Sequence, residues 1–417
     1  MTMGEKILAR HSGLSAVKPG QYVTAKIDMV MAGDETAEIY TAFKEIGITK
    51  VWDPSRVITL TDHKIPAPDI EQADEDVLKR KFVKEFGIKY WYDVGRGGVC
   101  HQVMPEKGHV LPGTLIIGFD SHTTSYGAFN AAGTPSQVPE GFWPVAKGEL
   151  WFRVPETIRF ELSGALQSRV MGKDVILKIA GDYGTDVGMY RSVEFVGPAV
   201  AKMTLADRWC IANMGVEIGA KWALFEADEK TLDFLKGRAR EPFTPVTSDA
   251  DASYEKIYKM DVTDLPPQVA CPHQISNVKP VSELGKIDIN QAFIGTCTGG
   301  RLEDLAVAAE ILKGKKIHPG VRLIVIPASM EVWKDALRAG LLEVFAEADA
   351  QICGPTCGPC GGGHLGIIGA GERCIAASNR NYKGRMGSPD SEVYLASPAT
   401  VAASALTGYI TDPRNVR

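Results

Sequence analysis

Short apolar runs that each stop at a polar or glycine-rich burst constrain this chain more than any other feature. Arg56-Val-Ile-Thr-Leu60 runs into Thr61-Asp62-His63, and Leu115-Ile-Ile-Gly118 into Asp120-Ser121-His122-Thr123. Ala292-Phe-Ile-Gly295 runs into Thr296-Cys297-Thr298-Gly299-Gly300, and then into a stretch with Leu302, Leu305, Ala309 and Leu312 at helical spacing. Val321-Arg-Leu-Ile-Val-Ile326 has a buried-strand pattern closed by Pro327. Ser329 predicts an N-cap for a helix through Leu337, with Gly340 as its stop. A short strand at 350–352 then delivers a cysteine cluster. Strand, helix and strand with short links predict βαβ units on parallel sheets, and so an α/β chain. In open sheets of this kind ligands bind beyond the carboxyl ends of the strands. The polar bursts are therefore candidates for one shared cleft between domains. A single Asp-His pair reads equally well as a surface turn; several bursts in the same position do not.

At 417 residues the chain has room for two to four domains, with three expected from size. Its 43 glycines and 24 prolines fall in no periodic or low-complexity tract, so they indicate structured turns rather than disorder. A net charge of −5 argues against a nucleic-acid-binding surface, which would be strongly basic. Met1-Thr-Met-Gly-Glu-Lys-Ile-Leu-Ala-Arg10 lacks the apolar core of a signal peptide. No run approaches the ~18 apolar residues of a membrane span. The expectation is a cytoplasmic protein with no membrane and no nucleic-acid partner.

In that compartment the 8 cysteines are not expected to pair. Cys100, Cys210, Cys271 and Cys374 stand alone, as small buried hydrophobes do. Cys353, Cys357 and Cys360 crowd together, with Cys297 well upstream. Cys357-Gly-Pro-Cys360 lets two thiolates share one metal or cluster, and three bound states are compatible with the set. Cys353 completes the spacing of a radical-SAM cluster, but that motif belongs near the start of a barrel, with an aromatic where this chain has Pro359. A structural zinc would close on four ligands, Cys297 and the trio, among glycines and catalytic-looking His and Asp. A 4Fe–4S cluster on Cys297, Cys357 and Cys360 would leave one iron without a thiolate, open to act as a Lewis acid.

Longer strings narrow the choice. Phe293-Ile-Gly-Thr-Cys297-Thr, Pro355-Thr-Cys357-Gly-Pro-Cys360, Ser378-Asn-Arg-Asn-Tyr-Lys-Gly-Arg-Met-Gly387 and Ser391-Glu-Val-Tyr-Leu-Ala-Ser-Pro398 closely resemble the aconitase superfamily. Within it, the large subunits of the isopropylmalate dehydratase and homoaconitase type are similar. Upstream, Asp120-Ser-His-Thr123, Trp151-Phe-Arg-Val-Pro-Glu-Thr157 and Asn213-Met-Gly-Val-Glu-Ile-Gly-Ala220 match in the same order, so the resemblance covers essentially the whole chain.

The resemblance implies three α/β/α domains with mainly parallel sheets around a central iron–sulfur site, at 1–155, 156–262 and 263–417. It implies a 4Fe–4S cluster with one labile, substrate-binding iron on Cys297, Cys357 and Cys360, and makes Cys353 a bystander. It also implies three carboxylate–histidine pairs: Asp62 with His63, Asp120 with His101, and Glu217 with His122. A carboxylate beside an imidazole favours the charged ring, which can donate to a departing hydroxyl. Ser121, Asn213, Asn379, Arg380 and Arg385 are the implied substrate binders, the guanidinium forks matching carboxylates. Asn213 and Glu217, four apart, share a face if their segment is helical.

The implied reaction is reversible dehydration, with or without isomerisation, of a small hydroxy di- or tricarboxylate such as 3-isopropylmalate or homocitrate. Hydration of the maleate, citramalate or dimethylmalate type, and a non-enzymatic iron or redox sensor, are the alternatives. The family places its catalytic base on a separate swivelling domain, for which the sequence to Arg417 leaves no room. The expected partner is a small swivel-domain subunit, in a heterodimer or heterotetramer. Three departures stand out. Gly299 replaces the family's Asn, and Gly33 stands before Asp34 where His or Gln is usual. The segment Gly133-Thr-Pro-Ser-Gln-Val-Pro-Glu-Gly141 carries two prolines, which fix φ and remove donors. These predict a locally different loop and a changed substrate rather than loss of activity.

Overall fold

The computed structural model describes residues 1–138 and 142–416. Its chain divides into two compact units. The first comprises Met1–Leu162, Asp186–Ala201 and Ala212–Met260, and the second Ser163–Thr185, Lys202–Ile211 and Asp261–Arg417.

The first unit contains a parallel five-stranded sheet in the order Tyr90–Tyr92, Val57–Leu60, Met29–Met31, Leu115–Gly118, Ala132–Pro135. Val57–Leu60 and Leu115–Gly118 are buried at every position, which is why they read as unbroken apolar runs rather than alternating ones. The strand order reverses beside Met29–Met31. From there the chain steps outward through Val57–Leu60 to Tyr90–Tyr92, then returns to the other side for Leu115–Gly118 and Ala132–Pro135. The loops after Met29–Met31 and Leu115–Gly118 therefore flank the switch point, where ligands of open α/β sheets bind. The same unit holds a four-stranded sheet in the order Trp222–Leu224, Ser192–Val196, Thr157–Ser163, Lys256–Asp261, its first three strands parallel. A two-stranded antiparallel ribbon pairs Tyr22–Lys26 with Glu149–Arg153.

The second unit repeats the topology with different residues. Five parallel strands run in the order Glu392–Leu395, Arg373–Ala376, Gln291–Gly295, Arg322–Ile326, Gln351–Ile352. Gln268–Ala270 and Val278–Pro280 extend the first edge antiparallel. Here the reversal falls between Gln291–Gly295 and Arg373–Ala376. Helices Leu302–Leu312 and Pro398–Thr407 meet through small buried side chains, among them Ala308, Ala309, Ala399 and Ala402. Ser329 caps Met330–Arg338 by accepting from the Val332 N–H at 3.1 Å, and Gly340 follows at φ 72°. The α/β class with mainly parallel sheets is thus observed. Among the described residues no helix is long and apolar enough to cross a membrane.

One local expectation fails. Asn213 and Glu217 do not share an α-helix: Leu205–Asn213 ends at Asn213, and Met214–Ile218 is a tighter 3-10 turn. Gly215 and Gly219 are poor helix formers, and Gly219 leaves in the left-handed region at φ 84°. In the proline-bearing segment, Ala132–Pro135 forms an edge strand, a position where proline is tolerated. Pro139, Glu140 and Gly141 lie outside the described residues. Thr134 Oγ1 accepts from the buried Trp222 indole N–H at 2.7 Å, joining the two sheets of this unit. Thr134→Val keeps the shape and strands that N–H, so chemical denaturation should show a loss of about 1–3 kcal/mol. An unchanged midpoint would mean the bond contributes nothing.

Candidate active site

The loops at the first unit's switch point gather four carboxylates around three histidines. Asp120 follows Leu115–Gly118 and caps the 3-10 helix Ser121–Phe129, its Oδ1 accepting from the His122 backbone N–H at 2.7 Å. The same oxygen accepts from His101 Nε2 at 2.5 Å, while Oδ2 lies 3.4 Å from His63 Nε2. His63 Nδ1 is 2.8 Å from Asp62 Oδ1 and 2.9 Å from Asp34 Oδ2. Carboxylates only accept, so His63 bonds on both sides when its ring carries both protons. His122 Nε2 meets Glu217 Oε1 at 2.7 Å. The three pairs expected from the sequence are each within bonding distance, and Asp120 joins them. Asp62 is fixed in turn by the Cys100 N–H, 2.8 Å from its Oδ2.

Burial opposes ionisation of Asp120, but the charge and hydrogen bond of His101, with bonds to His122 and His63, hold its carboxyl well below the usual range. Burial likewise opposes Asp34, and His63 together with the Lys79 ammonium overcomes it and keeps the carboxyl low. Lys79 is fully buried and bonds Asp34 at 2.5 Å and Asp76 at 3.1 Å. Glu35 behaves oppositely: burial pushes it up to about 8, with His63 pulling down and Asp120 and Asp34 pushing further up.

Neither Asp34 nor Glu35 was expected among the site residues. The signal was present, since Met29-Val-Met31 followed by Ala-Gly-Asp-Glu35 is another run-then-burst, but three residues make a faint strand. The backbone at Gly33 bears on the departure there. Gly33 has φ +57°, and a Cβ built there would lie 3.5 Å from Glu35 Oε2 and 3.0 Å from the Met31 sulfur. The left-handed backbone and the Met31 sulfur, rather than Glu35, are what a larger residue 33 would meet. Ser121 Oγ lies 3.3 Å from His122 Nδ1. Asn213 is fully buried and donates to Ser125 Oγ at 2.7 Å, and Ser125 donates to the His122 carbonyl, so this amide supports the turn beneath His122.

The second unit collects the cysteines by the same rule. Cys297 follows Gln291–Gly295, Cys357 and Cys360 follow Gln351–Ile352, and Ser378-Asn379-Arg380 follows Arg373–Ala376. All three cysteines are buried free thiols, whereas Cys353 is only half-buried. Asn379 donates from Nδ2 to Cys297 Sγ at 3.6 Å, and its Oδ1 lies 3.6 Å from Cys360 Sγ, so one amide spans two sulfur-bearing loops. Cys357 opens the 3-10 turn Gly358–Gly361 that carries Cys360. Lys173, also unforeseen, reaches the same loops: its buried Nζ donates to the carbonyls of Ala377 at 3.2 Å and Ser378 at 2.5 Å, and to Thr298 Oγ1 at 3.4 Å. Burial lowers its pKa, opposed by Cys210, Cys297 and Cys360. Three buried thiols, an amide N–H on one sulfur and a buried cation nearby suit an anionic thiolate-held cluster. Arg380 adjoins Asn379. Arg385 is half-buried, and its Nε is buried without a partner among the described residues. A Cβ on Gly299 would lie 2.4 Å from that of Ala377, so the family's Asn has no room here.

The aconitase family (aconitate hydratase) matches residues 5–287 and 275–408. The chain belongs to the aconitase family. Membership implies an iron–sulfur cluster, which the thiols fit. The chain is 52% identical over 414 residues to "3-isopropylmalate dehydratase large subunit 1" of Methanopyrus kandleri, covering 99% of each. It is 48% identical over 418 residues to "Probable 3-isopropylmalate dehydratase large subunit" of Methanothermobacter thermautotrophicus, covering 100% of each. Among solved structures, Thermococcus kodakaraensis aconitase X aligns with a TM-score of 0.51 over 85% of this chain and 84% of that one, at 13% identity, a likeness of fold alone.

Glu35 yields a pH test with a defined sign. Its pKa is raised from an ordinary 4.5 to about 8. For an acid that favours the folded state while protonated, so the contribution is present below 4.5 and lost as pH rises through 8. Glu35→Gln should match the wild type in acid and become the more stable chain toward pH ~9, by on the order of 1–3 kcal/mol. Parallel unfolding curves across that range would contradict the assignment.

Proposed function

We propose that this chain is the large subunit of a hydro-lyase that reversibly dehydrates, and isomerises by rehydration, 3-isopropylmalate or a close hydroxy-acid relative. What carries the reading is one pairing of features: buried thiols spanned by the Asn379 amide, and three carboxylate–histidine pairs joined at Asp120. Dehydrating a hydroxy acid calls for a Lewis acid and for positioned protons, and the two sets match those needs. Cys297, Cys357 and Cys360 would hold a 4Fe–4S cluster, which when bound supplies a Lewis-acidic iron without a protein thiolate. Cys353 has no part in it.

The chain's own residues divide the remaining work. His101 is held by Asp120 through Nε2, and its buried Nδ1 has no partner among the described residues. We assign the proton for the departing hydroxyl, which leaves as water, to this histidine cluster. Arg385 and Arg380 fork onto a substrate carboxylate, with Asn379 and Ser121 as further hydrogen-bonding groups. His63, tied to Asp62, Asp34 and Asp120, and His122, tied to Glu217, keep the surrounding charges in place. The weakly acidic C–H needs a base, and we assign it to a small-subunit partner, because the curated relatives are large subunits. The larger sheets fall within 29–135, 157–261 and 268–395, which supports three domains at 1–155, 156–262 and 263–417. Free thiols throughout the described chain fit a reducing cytoplasm.

On substrate, Glu35 is informative. Raised to about 8, it is a neutral carboxyl at pH 7 that can donate to a substrate oxygen, and the relatives named for 3-isopropylmalate dehydratase favour that acid over homocitrate. The test is dehydration of 3-isopropylmalate by the anaerobically reconstituted chain with a small subunit, each alone and together. Turnover should require both. Cys357→Ala should lose the cluster and turnover while Cys353→Ala keeps them. Arg385→Lys should lower kcat/KM by roughly 1–3 kcal/mol in transition-state terms. Equal iron loss in the two cysteine variants, or full activity of the chain by itself, would overturn the reading.

A further inference from the structure

The first unit also contains a cavity at the opposite end of its sheet from Asp120. Asp28, Arg56, Lys89 and Thr114 each stand just before one of four neighbouring strands. The cavity, 220 Å³ in volume, therefore lies at the strands' amino ends, whereas the carboxylate–histidine network lies beyond their carboxyl ends. Its remaining wall comes from His109 and the segment Arg240-Glu241-Pro242.

The charges lining it do not balance. Arg56 is engaged by Glu241, its Nη2 lying 3.0 and 2.9 Å from the two carboxylate oxygens. Asp28 Oδ2 is engaged by His11 at 2.6 Å and by the Leu115 N–H at 2.8 Å. Among the described residues neither Arg240 nor Lys89 has a carboxylate within ion-pair distance, although Lys89 lies near enough to Asp53 to lower its pKa. Arg240 donates to the Lys107 carbonyl and lies 4.4 Å from the Tyr90 ring centre, and Lys89 lies 5.3 Å from the same centre.

His109 is a neutral part of the wall. It is 2% exposed, and burial, helped by Arg240 and Lys107, pushes it down to about 3, so at neutral pH it is uncharged with one N–H. Its Nε2 lies 2.7 Å from the Tyr92 hydroxyl, which Arg240 also hydrogen-bonds. A guanidinium only donates, so the phenol oxygen accepts from Arg240, and it can give its own proton to Nε2. The ring's proton is then on Nδ1, and that buried atom has no partner among the described residues.

We propose that this cavity binds a small organic-acid anion, its carboxylate held by Arg240 and Lys89, its aliphatic part against Met29, Leu111 and Pro242. The volume is below the ~300–1,000 Å³ of drug-sized pockets, which limits the occupant to a short-chain acid. This site is separate from the reaction and does not rest on the proposed substrate. Titration calorimetry of the full chain with butyrate, and separately with inorganic phosphate, tests it. Butyrate should saturate one site per chain, at least about tenfold more tightly than phosphate. Arg240→Gln and Lys89→Met should each weaken butyrate by about fivefold or more, while Arg385→Lys should leave it unchanged. No saturable heat, phosphate binding as tightly as butyrate, or binding abolished by Arg385→Lys but not by Arg240→Gln would each overturn the proposal.

Discussion

Asp120 is the residue on which the first unit's polar cluster depends. One carboxylate caps the turn carrying His122, accepts from His101 and faces His63. A local backbone requirement, an N-cap for the helix after a buried strand, is thereby met by the same oxygen that orients an imidazole. The arrangement stays charged because opposite charges and donated hydrogen bonds outweigh burial. Removing the hub would leave His101 and His63 without a common acceptor while the sheet around them stayed intact.

The two units arrive at their sites by the same topological route. Each has a parallel sheet whose strand order reverses beside the first strand, and each places its chemistry in loops that leave the carboxyl ends near that reversal. In the first unit those loops carry carboxylates and imidazoles, and in the second thiols, an amide and guanidinium groups. Buried cations stand behind both: Lys79 under Asp34, and Lys173 under the loops of Thr298 and Ser378. Burying these charges is unfavourable unless each is fully engaged, and each holds two or more acceptors from separate segments.

How much of this could be read from the sequence depended on whether the signal was local. Val57–Leu60, Leu115–Gly118 and Arg322–Ile326 were legible because strands in the middle of a covered parallel sheet are apolar on both faces. Met29–Met31 is too short to register as a strand, so Asp34, noted only as the residue after Gly33, and Glu35 do not stand out as site residues. Asp62 and His63 are neighbours in sequence, whereas His101 with Asp120 and His122 with Glu217 were paired only through the family resemblance, since their partners come from different elements. Counting four residues from Asn213 to Glu217 suggested one helix face, and Gly215 and Gly219 broke it. Lys173 had no local marker at all: a lysine in an amphipathic helix reads as solvent-facing until the tertiary fold closes over it.

The most direct test of the account is the hydration–dehydration rate of Asp120→Asn as a function of pH, measured on reconstituted protein with its small subunit. If Asp120 holds the imidazoles in place by charge, the variant should keep its fold and cluster, lose about 10²-fold or more in kcat, and lose the wild type's pH dependence in the acid limb. A variant with a near-normal rate and an unshifted pH profile would contradict the claim that this carboxylate organises the site.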